Sequence, residues 1–207
     1  AYLQRIEISQ LPHPYILNES ETLKIFWLGP ITMHRVGRDG LRFLNIKSMG
    51  VEEKDVVVFV FGEIDVRCHI GKQRDQKKRA VEEIISNLVE NYTKTINCNR
   101  NLFDDLICVV CSVVPPIDGS ERANPDFPFY GSLSDRISLT KMLNQKLKKA
   151  AHENNFLFLD ISSFYQDTLG ALNPIFADTT VHIDYRFNGY IKTKLLELLV
   201  AQSFFVG

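Results

Sequence analysis

No apolar run in this chain is long enough to span a bilayer as a helix; the longest, such as 106–114 (LICVVCSVV), have the length of strands. Neither charge is in surplus. A net charge of −1 gives no electrostatic reason to bind nucleic acid or a membrane surface wholesale, so any charge-driven recognition must be local. Internal repeats and Gly/Ser-rich linkers are absent too, and 207 residues suit one α/β domain that needs no staples. Cysteines are few: Cys68, Cys98, Cys108 and Cys111. The last two have C-x-x-C spacing, but inside an apolar run they face opposite sides of a strand and read as small buried hydrophobes. No metal is expected. Unpaired thiols suit a reducing compartment. The first fifteen residues lack the basic region and apolar core of a signal peptide, so the expected location is cytoplasmic. The chain does not begin with Met, which suits a domain excised from a larger protein whose other domains act as partners. Neither G-x-x-x-x-G-K-S/T nor G-x-G-x-x-G occurs, which excludes the common phosphate loops.

What is present is an alternation of two periodicities. Continuous apolar stretches at 23–28 (LKIFWL), 41–46 (LRFLNI), 55–61 (DVVVFVF), 106–114 and 156–161 (FLFLDI) read as strands buried on both faces, as in parallel sheets. Between them, 75–92, 138–153 and the segment after Asn188 carry apolar residues at helical spacing. This pattern predicts a doubly wound α/β fold with a parallel sheet of about five strands. The whole chain, 1–207, is expected to form that one domain, with 1–20 as an N-terminal extension. Gly29, Gly62, Pro115 and Asp160 then fall at C-terminal strand ends, the edge where open α/β sheets bind ligands.

Four constellations sit at that edge. Gly62-Glu63-Ile64-Asp65-Val66-Arg67-Cys68-His69 places Glu63, Asp65, Arg67 and His69 at alternating positions, and an extended loop points them to one side. Asp178-Thr-Thr-Val-His182-Ile-Asp184, shortly before the last helix, has the make-up of a general base with a supporting acid; either Asp178 or Asp184 can serve His182. Gly29-Pro30-Ile31-Thr32-Met33-His34-Arg35 follows the first strand; Gly29, Thr32, His34 and Arg35, with Arg38, are candidates for binding an anion, and Thr32 is a weak candidate nucleophile. The long stretch 115–136 is rich in proline and aromatics and reads as a pocket wall or lid.

In this order, the motifs resemble the SGNH hydrolase superfamily over roughly 23–202. Asp178-Thr-Thr-Val-His182 resembles its Asp-x-x-His block with one residue added, and Gly62-Glu63-Ile64-Asp65 resembles its Gly-x-Asn-Asp block. The departures are Ile31 where the nucleophilic serine of the Gly-Asp-Ser-Leu block belongs and Ile64 where the oxyanion-hole asparagine belongs. The GEIDxRxHI form is similar to a divergent branch of surface-polysaccharide pathways.

The resemblance implies a flavodoxin-like three-layer α/β/α sandwich. It also implies an acyltransferase that carries an acetyl group from acetyl-CoA to an amino sugar or nucleotide sugar. Direct attack by the acceptor needs a base but no serine. In that reading His182, Asp178, Asp184 and Asp65 are catalytic, and Gly29, Thr32, His34, Arg35, Gly62, Glu63, Arg67 and His69 bind substrate or cofactor. The alternatives are a carbohydrate esterase or deacetylase using Thr32 or a His-activated water, and a sugar-binding module without activity. Neither nucleic acid nor membrane is an expected partner.

Overall fold

The computed structural model describes residues 15–19, 23–118, 126–178 and 181–203. Most of the expected N-terminal extension and the middle of the proline-rich loop lie outside the described residues. The chain divides into two compact units, Ala1–Ile31 and Thr32–Gly207. In the first, β1 (Tyr15–Glu19) pairs antiparallel with β2 (Lys24–Trp27), with an irregularity between Ile16 and Asn18. The stretch 23–28 is thus a strand, as expected, but a hairpin strand rather than a member of a parallel sheet.

The second unit is built on a parallel sheet of three strands, in the order β3 (Val56–Phe59), β4 (Ile107–Cys111), β5 (Leu157–Leu159). The expected sheet of about five strands therefore reduces to three among the described residues. The stretch 41–46 is not a strand. It forms 3-10 turns at Gly40–Arg42 and Lys47–Met49. The reason is Asn99, fully buried, which accepts from the N–H of Ile46 and donates to the carbonyl of Leu44, each at 3.0 Å. It supplies the backbone partners that a sheet ladder otherwise gives, so Leu44 and Ile46 are buried without pairing.

The helices are α1 (Met33–Asp39), α2 (Ile70–Lys77), α3 (Val81–Arg100), α4 (Leu133–Glu153), α5 (Ser162–Tyr165) and α6 (Gly189–Ser203). The helix expected over 75–92 is broken at Lys78, whose left-handed backbone (φ 52°) closes α2. The acids Glu82 and Glu83 then open α3, where they complement its dipole. Helix α3 buries Ile84, Ile85, Leu88, Val89, Tyr92 and Ile96, and packs on α1 and α4. Each such side chain removed from water contributes about 1.5–3 kcal/mol. Val109 and Cys111 enter a cluster with Leu159, Tyr165 and Leu172, against which α6 residues pack. Strand alternation sends Cys108 and Val110 to the other face. Ser112 joins the strand ends, its hydroxyl accepting from Ile161 and Ser162 at 3.0 Å. No helix among the described residues is long and apolar enough to cross a membrane.

Candidate active site

After β3 the chain turns at Gly62 with φ 111°, and a Cβ there meets a methyl of Val113 at 2.6 Å. Glycine is therefore required both by backbone conformation and by space. The next residues are helical, not extended. Asp65–His69 form a π turn that leads directly into α2, a local widening often found at functional sites. The four charges consequently do not share one side. Glu63 and Arg67, four residues apart on a helix, form a bidentate pair at 2.6 and 3.1 Å. The Arg67 guanidinium is buried and also donates to the carbonyl of Phe127. His69 meets the ring of Phe127 edge-on, with centroids 6.5 Å apart.

Asp65 points to α1. Its carboxylate accepts from the N–H of Met33 at 2.7 Å and of His34 at 3.2 Å, satisfying two amides that a helix start leaves open. Thr32 caps the same helix, its hydroxyl accepting from the Arg35 N–H at 3.0 Å. Burial pushes the Asp65 carboxyl up to about 7, against the opposing pull of the amides of Met33 and His34, with a further push from Glu63. His34 and His69 are both held below the usual histidine value, first by burial and then by positive neighbours.

A cavity of about 10 Å³, the room of one water, lies beside this turn and is lined by Glu63, Arg67, Phe129, Arg136 and Thr140 among others. Arg136 is 3% exposed. It donates to the carbonyls of Gly131 at 2.7 Å and Ile117 at 3.2 Å, while its Nε–H has no acceptor among the described residues. The Phe129 ring is near both guanidinium groups, its centroid 5.7 Å from that of Arg67 and 4.7 Å from that of Arg136. Sequence reasoning included Arg136 only as the end of the stretch 115–136 read as a pocket wall or lid, with no chemistry of its own. The available signal was its place on the stripe with Leu139, Leu143 and Leu147, where a charge is out of keeping.

His182 immediately precedes Ile183, which forms an isolated antiparallel bridge with Ala177 shortly before α6. The Asp178 N–H donates to the His182 carbonyl at 2.9 Å, and the His182 N–H to Asp178 at 3.2 Å. Nδ1 of the ring lies 3.5 Å from the Asp178 carboxylate, and the side chain is 72% exposed. Asp184, the other candidate partner, is engaged by Arg186 at 2.6 Å, and that guanidinium holds its carboxyl below the usual range. Asp178 is thus the acid beside His182. Beneath the bridge, Phe164 stacks on Tyr190 at 3.5 Å, and the Tyr165 hydroxyl donates to the Phe187 carbonyl at 2.7 Å. Gly29, in the first unit, has φ 84° and accepts from the Ile31 N–H at 2.8 Å. No group of three His, Cys, Asp or Glu side chains among the described residues is placed to hold a metal ion.

No family model matches the chain, and no curated protein matches it. Solved structures do share its fold. A GDSL-like lipase from Bacteroides thetaiotaomicron is 14% identical with a TM-score of 0.54, over 84% of this chain and 72% of that one. A candidate acylhydrolase from Bacteroides fragilis is 15% identical with a TM-score of 0.52, over 84% of this chain and 71% of that one. At such identities the likeness concerns the fold alone: a mixed α/β architecture with a parallel sheet, similar to that of GDSL-like lipases and acylhydrolases.

Proposed function

We propose that this chain is an acyl-ester hydrolase acting on acylated carbohydrate, with His182 as general base and Asp178 as the acid that orients it. The observation that carries the reading is the exposed imidazole with a carboxylate 3.5 Å from Nδ1, just before the last helix of a fold shared with structures named for lipase and acylhydrolase activities. The carbohydrate comes from the GEIDxRxHI resemblance. In the step proposed, His182 takes a proton from water, and the resulting hydroxide adds to the ester carbonyl carbon. Collapse breaks the bond to the sugar oxygen, which leaves with the proton held on His182. With Ile31 at the serine position, water or the neighbouring Thr32 hydroxyl must act as nucleophile.

A second reading is acetyl transfer from acetyl-CoA to an amino sugar. Ile31 and Ile64 favour it, because direct attack by an amine needs no protein nucleophile. The two readings separate in one assay with an acetylated oligosaccharide, and with acetyl-CoA plus amino sugars. Acetate release without CoA supports hydrolysis, CoA release that depends on the acceptor supports transfer, and sugar binding without either overturns both. His182→Ala is expected to lower turnover at least about 100-fold. Near-normal turnover in the folded variant removes His182 from the mechanism.

A further inference from the structure

Arg136 is a buried cation without a counter-ion of its own. Helix α4 carries it on the buried stripe of Leu139 and Leu143. Two of its hydrogen bonds go to the uncharged carbonyls of Gly131 and Ile117, and its buried Nε–H meets no acceptor among the described residues. No carboxylate there forms an ion pair with it. Asp118 is exposed and acts only through space, and Asp135 is engaged by Arg74 at 3.4 Å and by the amide of Ser132 at 3.1 Å. Glu63, the one acid lining the cavity, is already bidentate to Arg67. The cavity wall thus holds two guanidinium groups and one carboxylate, an excess of one positive charge. Most of the remaining wall is apolar, with Val66, Val113 and Pro116. Burial, and the charge of Arg67 nearby, hold the Arg136 guanidinium below the usual arginine value. A buried charge and a buried donor left unmatched are both costly, and here they belong to one side chain beside one cavity.

We propose that this cavity binds one monatomic anion, chloride or bromide, which accepts from the free Nε–H of Arg136 and balances the charge that Arg136 and Arg67 leave over. A space of about 10 Å³ takes one water-sized body and has no room for a sugar, a phosphate or a whole carboxylate group. Water there gives the Nε–H its acceptor but leaves the charge unbalanced. A halide does both, and it brings no further polar atoms that need partners from an apolar wall. The ion ties together the turn after Gly62 through Arg67, the stretch after β4 through Ile117, and α4 through Arg136. Arg67 and Arg136 also hold the carbonyls of Phe127 and Gly131, so the same ion steadies the part of the proline-rich stretch that leads into α4. This site is independent of the hydrolase reading: it needs neither His182 nor turnover.

The test melts the protein at fixed ionic strength while sodium chloride or bromide replaces sodium methanesulfonate, whose anion is too large for the cavity. In parallel, a crystal soaked in bromide is read by anomalous scattering. A halide at about ten times its Kd is expected to raise Tm by roughly 3–5 °C. Bromide is expected within hydrogen-bond reach of Arg136 Nε. Arg136→Met should lose the halide dependence, and a control pair on α4, Lys148→Ala/Lys149→Ala, should keep it. Where Arg136→Met does not fold, the bromide position in the parent protein decides. Equal Tm in halide and methanesulfonate, equal halide dependence in the parent and the folded Arg136→Met protein, or a cavity that holds only water in the bromide crystal overturns the site. Stabilisation by acetate or glucuronate with halides inert overturns the monatomic assignment.

Discussion

Replacing Asp65 by asparagine should make this protein more stable at neutral and alkaline pH. Asp65 is 1% exposed, and burial carries its carboxyl from 3.8 in the unfolded chain to about 7 in the folded one. Between those values the folded state holds a proton that the unfolded state has lost. Stability therefore falls as pH rises through this window and is flat above it. The span is roughly three pH units, or about 4 kcal/mol at most. An asparagine side chain resembles the protonated acid: one oxygen still accepts from an α1 amide, and no charge is buried.

The assay is urea unfolding of both proteins from about pH 4 to pH 8, read as the difference between them. At the acid end the two should coincide. Near pH 8 the Asp65→Asn protein should be the more stable by up to about 4 kcal/mol, or roughly 10 °C in Tm for a chain of this size. The difference matters because other groups act with the opposite sign. His34 and His69 are held below 6.5, so their contribution is lost as pH falls, and the depressed carboxyls Asp39, Asp75, Asp135 and Asp184 act likewise at lower pH. These cancel in the comparison. An Asp65→Asn protein less stable than the parent at pH 8 would refute the reasoning, and would mean that the amides of Met33 and His34 outweigh burial.

Other substitutions probe the same region. Gly62→Ala should cost more than about 2 kcal/mol in urea unfolding, because it combines a φ of 111° with a Cβ 2.6 Å from Val113. Glu63→Ala should cost about 3 kcal/mol by leaving the Arg67 guanidinium, 8% exposed, without its carboxylate, and the double variant Glu63→Ala/Arg67→Met should recover much of that loss. Thr32→Ala separates the two nucleophiles open to a hydrolase: a loss of turnover equal to that of His182→Ala identifies the Thr32 hydroxyl, and a smaller one identifies water.

The parts of the fold that pattern made legible are those where one force decides. Strand β4 is a short apolar run buried almost throughout, while β3 and β5 are buried only at their last residue, and the C-terminal ends of β3 and β4 do carry the turn at Gly62 and the cavity around Arg136. The segment 41–46 misled because apolar periodicity reports burial, not pairing, and a single distant side chain, Asn99, satisfied the backbone instead. The alternation of Glu63, Asp65, Arg67 and His69 misled for a related reason. Period two can come by chance, whereas the open amides of α1 made a helical turn that delivers Asp65 to them favourable. The choice between Asp178 and Asp184 rested on which acid a neighbouring cation had claimed, and Arg186, two residues from Asp184, gave that away only once its direction was known.

The position of Asp65 also constrains the chemistry. A helix start ordinarily offers free amides to a developing oxyanion. In α1 those of Met33 and His34 are taken by Asp65, and that of Arg35 by the Thr32 hydroxyl. A nucleophile at Thr32 is therefore surrounded by amides already in use, and its own oxygen is committed as an acceptor to one of them. On the hydrolase proposal, an acyl group reacting at this helix end would draw its stabilising donors from groups other than these three amides. That requirement weighs against a threonine that copies the missing serine and in favour of attack by water or by an acceptor. On the same proposal, activity is expected to be sensitive to the protonation of Asp65, because a neutral carboxyl holds the two amides less firmly than a carboxylate does. On the hydrolase proposal, turnover of the Asp65→Asn protein should accordingly lose whatever part of its pH profile falls near 7.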